Sequence, residues 1–192
     1  MTNSRNKILQ ACMEQFIKPA GQSYTVDALA SDLGCSKKTI YKYFKSKNEL
    51  LDAVFSNYKD IVLRRFQSIN NGSDGEVDIL MKYIYAVDRS VWEIRMSRWY
   101  IQSKDSSSIQ EQYFDLRLSV FENYMLKALI PFEQNLLHRG KTSIHIADYI
   151  IGSLESHYLN TPAGQLKNTQ SKTFVDTLLF LVHGCLIHLE DD

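Results

Sequence analysis

Apolar residues recur at helical spacing along most of the chain, and no stretch alternates apolar and polar positions as a run of β-strands does. Beyond residue 75 the spacing predicts helices at about 76–103, broken near Trp92, and 109–138, kinked or broken at Pro131, then at 143–160 and 170–189. Turn-forming residues at 70–75, 104–108 and 161–164 separate these segments. Helical spacing at residues 4–18 predicts an amphipathic helix before Pro19. The pattern therefore predicts an all-α protein.

The stretch from Thr25 to Lys47 contains helix caps, apolar residues at helical spacing and a glycine turn within 23 residues. Thr25 is placed to cap a short helix whose apolar positions follow at i, i+3, i+4 and i+7, namely Val26, Leu29, Ala30 and Leu33. Gly34 stands where a helix end favours positive φ, and Ser36 is placed to cap a second helix two residues later. Two short helices joined by a tight turn that contains glycine predict a helix-turn-helix, whose second helix enters the DNA major groove.

The second helix is predicted to have one buried face and one basic, aromatic face. Ile40 and Phe44 lie four residues apart and are expected to pack on the first helix. The outward surface then carries Lys37, Lys38, Tyr41 and Lys42. Residues 33–48 contain five lysines and no Asp or Glu, a field that attracts phosphate. A lysine run is also consistent with an ordinary solvated helix face, but its coincidence with the turn favours DNA.

A third helix is predicted to begin at a capping box formed by Ser46 and Glu49. Its apolar stripe continues without Gly or Pro to about Asn70, so at 1.5 Å per residue the helix reaches roughly 35 Å. A helix of this length can connect two domains.

The same segment closely resembles the TetR/AcrR family of bacterial repressors. The motif positions present are Thr25, Gly34, Ser36, Lys37, Thr39, Ile40, Tyr41, Tyr43, Phe44, Lys47 and Leu50. The resemblance implies a three-helix DNA-binding domain at 1–46, a connecting helix at 47–70 and a helical effector-binding and dimerisation domain at 71–192, with about nine helices in total. It also implies that the major groove is faced by Lys37, Lys38, Tyr41, Lys42 and Tyr43, with Ser36 capping their helix, and that Thr25, Thr39, Tyr41 and Lys47 hold phosphates.

Charge is distributed unevenly, although the formal net charge is zero. Residues 1–70 carry 11 Lys and Arg against 6 Asp and Glu, whereas residues 71–192 carry 11 against 16. The amino-terminal part is therefore the one suited to a polyanion. The three cysteines lack C-x-x-C spacing and the five histidines lack metal-binding spacing, so we expect no disulfide framework, metal or other cofactor. The chain shows neither a secretory signal nor a membrane-spanning run, and a cytoplasmic protein is expected.

Aromatic residues and arginines in the middle of the chain are candidates for a small-molecule pocket, which the resemblance implies for this domain. The candidate ligand-binding residues are Trp92, Arg95, Trp99, Tyr113, Phe121 and Tyr124. Arg95 and Arg98 lie one turn apart and are suited to a carboxylate or phosphate. The alternative, which base rates favour, is that the aromatics are core and that Asp88 and Glu93 pair with the arginines.

The last two helices are apolar over a wide surface, which fits either a central position in the domain or pairing with a second copy in a four-helix bundle. The resemblance favours the homodimer. We therefore expect a ligand-responsive repressor that binds a palindromic operator and is released by a small-molecule effector. The alternative is a helical scaffold dimer with only non-specific DNA association. No catalytic motif is present, so an enzyme is not expected.

Overall fold

A computed structural model describes residues 2–17, 25–69, 74–96, 107–160 and 168–187 of the 192-residue chain. Within these ranges the chain consists of helices and short turns, with no β-strand, and the all-α prediction is confirmed. No helix in the same ranges is long and apolar enough to cross a membrane. The predicted turns around 70–73, 104–106 and 161–164, together with Arg98 and Trp99, lie outside the described residues.

The helices follow one another closely along the chain. They are α1 (Thr2–Ile17), α2 (Val26–Asp32), α3 (Lys37–Tyr43), α4 (Lys47–Ile69), α5 (Glu76–Met96), α6 (Ser107–Val120), α7 (Leu126–Leu129), α8 (Glu133–His138), α9 (Ser143–Asn160) and α10 (Asn168–Ile187). A π-helical turn, Phe121–Met125, joins α6 to α7, and a 3-10 turn, Ile130–Phe132, joins α7 to α8.

The described residues form two compact units. The first contains those within 1–62 and 93–115, and the second those within 63–92 and 116–192. Three helices contribute to both units, and one of them is α6, with residues 107–115 in the first unit and 116–120 in the second. Residues 47–62 of α4 belong to the first unit and 63–69 to the second, whereas α5 contributes residues 76–92 to the second and 93–96 to the first.

The core of the first unit is built from the apolar faces of α1 to α4. Its buried side chains include Ile8, Leu9, Cys12 and Met13 on α1, Val26, Leu29 and Ala30 on α2, Ile40 on α3, Phe44 after it, and Leu50, Val54 and Phe55 on α4. Burial raises the pKa of the Cys12 thiol to about 12, so this cysteine stays protonated and unreactive at neutral pH. The Tyr58 hydroxyl donates to the buried Glu93 carboxylate at 2.9 Å and ties α4 to the end of α5.

The α5 helix corrects one sequence prediction. It runs without interruption from Glu76 to Met96, so the predicted break near Trp92 is wrong. The segment around Trp92 contains no Gly or Pro, and the neighbouring Val91, Glu93 and Ile94 are all buried. Packing on both sides of Trp92 therefore keeps the helix continuous through this position.

The kink predicted at Pro131 is present as the Ile130–Phe132 turn, because proline cannot donate the hydrogen bond that an α-helix needs there. The π-helical turn just before it has no such sequence signal. The Leu126 N–H donates to the carbonyl of Phe121, five residues back, which places Met125 in the core.

The second unit is packed around aromatic rings and the last two helices. The ring of Phe66 lies 5.6 Å from Tyr83 and 5.1 Å from Tyr124, measured between centroids. The buried faces of α9 and α10 complete the core, with Ala147, Ile150, Ile151 and Leu154 on α9 and Val175, Leu178, Leu179 and Val182 on α10. Arg117 on α6 binds Glu155 at 3.2 Å and Asp148 at 3.1 Å, which fixes α6 against α9.

Candidate nucleic-acid interface

The turn between α2 and α3 is closed by a glycine with positive φ. Gly34 has φ of +61°, a conformation that L side chains rarely adopt. Its N–H donates to the Ser31 carbonyl at 3.0 Å, and the N–H of Cys35 donates to the Ala30 carbonyl at 2.9 Å. This is the Schellman arrangement, which satisfies the last carbonyls of α2 and reverses the chain within four residues.

Both helices begin at side-chain caps. The Ala28 N–H donates to Thr25 Oγ1 at 3.2 Å, and the Thr39 N–H donates to Ser36 Oγ at 3.1 Å. The Ser36 and Thr39 hydroxyl oxygens lie 3.0 Å apart and share a hydrogen bond. Thr25, Ser36 and Thr39 are all exposed. Because a hydroxyl that accepts from the backbone keeps its own proton to donate, these caps are compatible with phosphate contacts.

The two faces of α3 differ sharply in burial. Ile40 and Phe44 have no accessible surface, whereas Tyr41 is 41% exposed and Lys37, Lys38 and Lys42 are exposed. Tyr43 is half-buried. The core contacts of Ile40 and Phe44 set the rotation of α3, and this rotation directs the lysines and Tyr41 outward.

Lys37 has a partner that the sequence analysis did not identify. Its Nζ lies 2.6 Å from Asp27 Oδ2 on α2, and both side chains are largely exposed. The hydrogen bond to Asp27 raises the pKa of Lys37, with an electrostatic contribution from the same carboxylate. Asp27 occupies the first turn of α2, where its charge also complements the helix dipole. An acidic residue in the first turn of α2 is the sequence signal that could have identified this partner.

The start of α4 provides a second anion-compatible element. The Glu49 N–H donates to Ser46 Oγ at 3.1 Å, and Glu49 Oε2 accepts from the Lys45 N–H at 2.7 Å. The predicted cap at Ser46 is confirmed, with the carboxylate reaching the backbone of Lys45. Lys47, the first residue of α4, is half-buried. Lys47 and the positive end of the α4 helix dipole place positive charge at this helix end.

Arg5 on α1 is a further cation of this unit that the sequence analysis missed. Its guanidinium carbon lies 4.9 Å from the centroid of the buried Phe44 ring. This cation–π contact links α1 to the residue that ends α3. Arg5 lies outside the family motif, and its spacing alone gave no signal for the contact.

The ligand-binding candidates are distributed over several places. Trp92 lines a cavity of about 330 Å³ in the second unit, between α5, α9 and α10. Tyr124 belongs to the aromatic cluster with Phe66 and Tyr83 described above, and Phe121 is half-buried in the π-helical turn. Tyr113 on α6 belongs to the first unit. Trp99 and the side chain of Arg95 lie outside what the structure describes.

The carboxylates considered as partners for the arginines both accept hydrogen bonds from tyrosines, whereas the side chains of Arg95 and Arg98 lie outside the described residues. Glu93 accepts from Tyr58, as described above, and Asp88 accepts from the Tyr158 hydroxyl at 2.5 Å. The cavity is also lined by Tyr85, Asp88 and Arg89. With Trp92 these residues follow at i, i+3, i+4 and i+7, so helical spacing was the signal that would have grouped them.

A larger open cavity of about 650 Å³ lies between α9 and α10. Tyr149 and Leu181 line it and are each about half exposed. His157 also lines it, and its ring is stacked on Phe174 with centroids 4.1 Å apart. Among the described residues no group of three or more His, Cys, Asp or Glu side chains is arranged to hold a metal ion.

The fold and this surface define the class of protein: an all-α helix-turn-helix protein whose helix α3 has an exposed basic face. Residues 8–54 match the family model described as "Bacterial regulatory proteins, tetR family". Over 44 residues the chain is 43% identical to the uncharacterized HTH-type transcriptional regulator YvaF of Bacillus subtilis, a match that covers 23% of each chain. The match thus spans about a quarter of that relative's length.

Solved structures extend the likeness to nearly the whole chain. A transcriptional regulator from Cytophaga hutchinsonii superposes with a TM-score of 0.72 at 14% identity, covering 94% of this chain and 95% of that one. A putative TetR-family transcriptional regulator from Rhodococcus sp. gives 0.66 at 15% identity, covering 93% and 97%. At such identities the likeness shows the fold alone. The family-model match confirms the resemblance for residues 8–54, and the solved structures show that the chain shares the fold of these regulators.

Proposed function

We propose that the protein is a homodimeric repressor that binds a palindromic operator and is released from it by a small-molecule effector. The observation that carries the proposal is the division of α3 into a fully buried face, Ile40 and Phe44, and an exposed basic face, Lys37, Lys38, Tyr41 and Lys42. A protein of this kind acts on the chromosome and therefore in the cytoplasm.

Each exposed side chain has a role that its chemistry suits. Lysine ammonium groups on α3 donate to the O6 and N7 acceptors of guanine, which are displayed in the major groove. Tyr41 and Tyr43 add ring contacts and hydroxyl donors on the same helix. Thr25, Thr39 and Lys47 flank α3 and donate to phosphate oxygens, which fixes the register of the helix on the duplex.

The homodimer is proposed to form through α9 and α10. Four large apolar side chains on these helices are at least half exposed in the single chain: Ile144, Tyr149, Phe180 and Leu181. Apolar side chains exposed together on two adjacent helices favour burial against a second copy. A two-fold symmetric dimer presents its reading helices to two half-sites about 34–36 Å apart, which is why a palindrome is expected.

Effector release is proposed to act through α4, whose residues belong to both compact units. A ligand that binds more tightly to a dimer with wrongly spaced reading helices lowers operator affinity by the same factor by which the operator lowers ligand affinity. Such coupling factors are typically about 5- to 150-fold.

Selection of DNA fragments from a random pool by the purified full chain tests the proposal. The selected site is then compared with a scrambled duplex by fluorescence anisotropy at one fixed salt concentration. A regulator is expected to prefer its site by a factor of ~10³ or more. Equal affinities would favour the scaffold alternative with non-specific DNA association.

A further inference from the structure

The open cavity between α5, α9 and α10 combines aromatic side chains with one half-buried acidic group, Asp88. Tyr85 and Trp92 on α5 and the buried Tyr158 on α9 supply the rings, and the buried Val175 on α10 closes the floor. A volume of about 330 Å³ lies at the small end of the range for ligand pockets. The cavity therefore suits a compact molecule with an apolar body.

Asp88 is the acidic side chain of this cavity, and only one of its two carboxylate oxygens has a hydrogen-bond partner within the described residues. Its Oδ1 accepts from the Tyr158 hydroxyl at 2.5 Å, and within the described residues this is the one hydrogen bond made by the carboxylate. Burial raises the pKa of Asp88, and the Tyr158 hydrogen bond opposes that shift. Asp88 is half-buried, and its second oxygen is not enclosed by the protein, so a donor that enters the cavity can form a charge-assisted hydrogen bond to it.

The basic residues that line the cavity do not neutralise Asp88. Arg89 and Lys172 are both exposed, and neither is an ion-pair partner of this carboxylate. Exposed side chains of this kind are solvated and screened, so their charges act weakly on a bound molecule. The half-buried carboxylate and the aromatic rings therefore dominate recognition.

We propose that this cavity binds a compact organic cation, a protonated amine attached to an aromatic or aliphatic body, with Asp88 as its counter-ion. The ammonium donates to the unbonded Asp88 oxygen, and the aromatic walls contact the body and attract the positive charge through their ring faces. The ligand class deepens the proposed function, because it names the effector chemistry, but binding itself does not depend on DNA.

The site carries its own pH signature. The cation binds the ionised form of Asp88, so affinity falls as pH drops through the raised pKa of that group. The other charged or titratable groups around it in the described part of the chain are Tyr85 and Arg89 on α5, Tyr158 on α9 with His157 against its ring, and Lys172 and Asp176 on α10. Asp176 lies against the Tyr85 hydroxyl at 3.4 Å, so the contributions of the two carboxylates are distinguished by mutating each in turn.

Isothermal titration of the full chain, without DNA, tests the ligand class with three probes that share one ring: benzylamine, benzyl alcohol and benzoate. We expect benzylamine to bind at least tenfold more tightly than either other probe, a difference of about 1.4 kcal/mol. Tighter binding of benzoate would overturn the proposal in favour of anion recognition by Arg89 and Lys172. A benzylamine affinity no better than that of the alcohol would also overturn it.

Variants locate the charge that is responsible. Asp88→Asn keeps the shape of the side chain and is expected to lower benzylamine affinity at least tenfold and to remove its dependence on pH between 4 and 7. Asp78→Asn, the same change at an exposed position of α5, is the matched control and is expected to bind like the wild type. Asp176→Asn is expected to retain the pH dependence. Loss of binding in Asp78→Asn, or normal binding in Asp88→Asn, would contradict the assignment.

Operator binding is measured separately for the same proteins. If benzylamine binds through Asp88 and operator affinity is unchanged by it, the cation site stands and effector release fails. If the operator is bound and benzylamine is not, the DNA-binding function stands and the ligand class is wrong.

Discussion

Lys37 Nζ and Asp27 Oδ2 lie 2.6 Å apart, so the first lysine of the proposed reading helix is paired with a carboxylate of the preceding helix. The pair orients the lysine across the turn between α2 and α3. It also places a negative charge beside the surface proposed to meet DNA, and the two effects oppose each other in binding.

Asp27→Asn is expected to strengthen binding to all DNA sequences by about threefold at low salt, because repulsion of phosphate is removed and exposed pairs contribute little orientation. Anisotropy titrations on specific and scrambled duplexes measure the change. Asp60→Asn, at an exposed position of α4, is the control for net charge. A loss of affinity confined to the specific site would show that Asp27 positions Lys37 for a base contact.

Lys42→Ala and Lys47→Ala are expected to separate base reading from phosphate binding. Lys47→Ala should weaken binding to every sequence and reduce the salt slope by about one per subunit. Lys42→Ala should instead change the preferred sequence at one position of each half-site. If Lys42→Ala ranks operator variants as the wild type does, α3 does not read bases through this lysine.

Gly34→Ala is expected to destabilise the first unit by about 1–2 kcal/mol, because a Cβ is strained at φ of +61°. Gly34→Asn should cost less, since asparagine tolerates this conformation. Thermal unfolding followed by circular dichroism compares the two variants. Nothing lies within 4 Å of a Cβ placed at Gly34, so equal losses in both variants would contradict the backbone explanation.

Leu181→Glu is expected to convert the homodimer to a monomer, because it places a charge on the proposed apolar interface of α9 and α10. Light scattering coupled to size-exclusion chromatography gives the mass. Ile130→Glu is the matched control, since Ile130 is 64% exposed in the turn before α8. A monomeric Ile130→Glu or a dimeric Leu181→Glu would move the interface elsewhere.

The folded protein is expected to lose stability in mild acid because of His157. Burial lowers its pKa, and within the described residues its buried Nε2 has no hydrogen-bond partner. Protonation therefore favours the unfolded chain, and the contribution is present above about pH 6.5 and is lost as pH falls below that value. His157→Gln should flatten the stability profile between pH 5 and 7 in urea titrations. An unchanged profile would assign the dependence to other groups.

The sequence by itself determined those features that depend on local chemistry. The caps at Thr25, Ser36 and Ser46 and the glycine turn at Gly34 were predicted because each is set by residues within five positions of one another. The buried and exposed faces of α3 were likewise predicted, because Ile40 and Phe44 can be buried together only if the lysines point away.

The tertiary structure alone decided which distant side chains meet. The pairs Tyr58–Glu93 and Tyr158–Asp88 join residues 35 and 70 positions apart, and no periodicity brings such positions together. The continuity of α5 through Trp92 likewise depends on tertiary packing, because residues on both sides of Trp92 are buried. Local rules act through backbone geometry over one or two turns, whereas these contacts depend on how helices pack, and packing is a property of the whole chain.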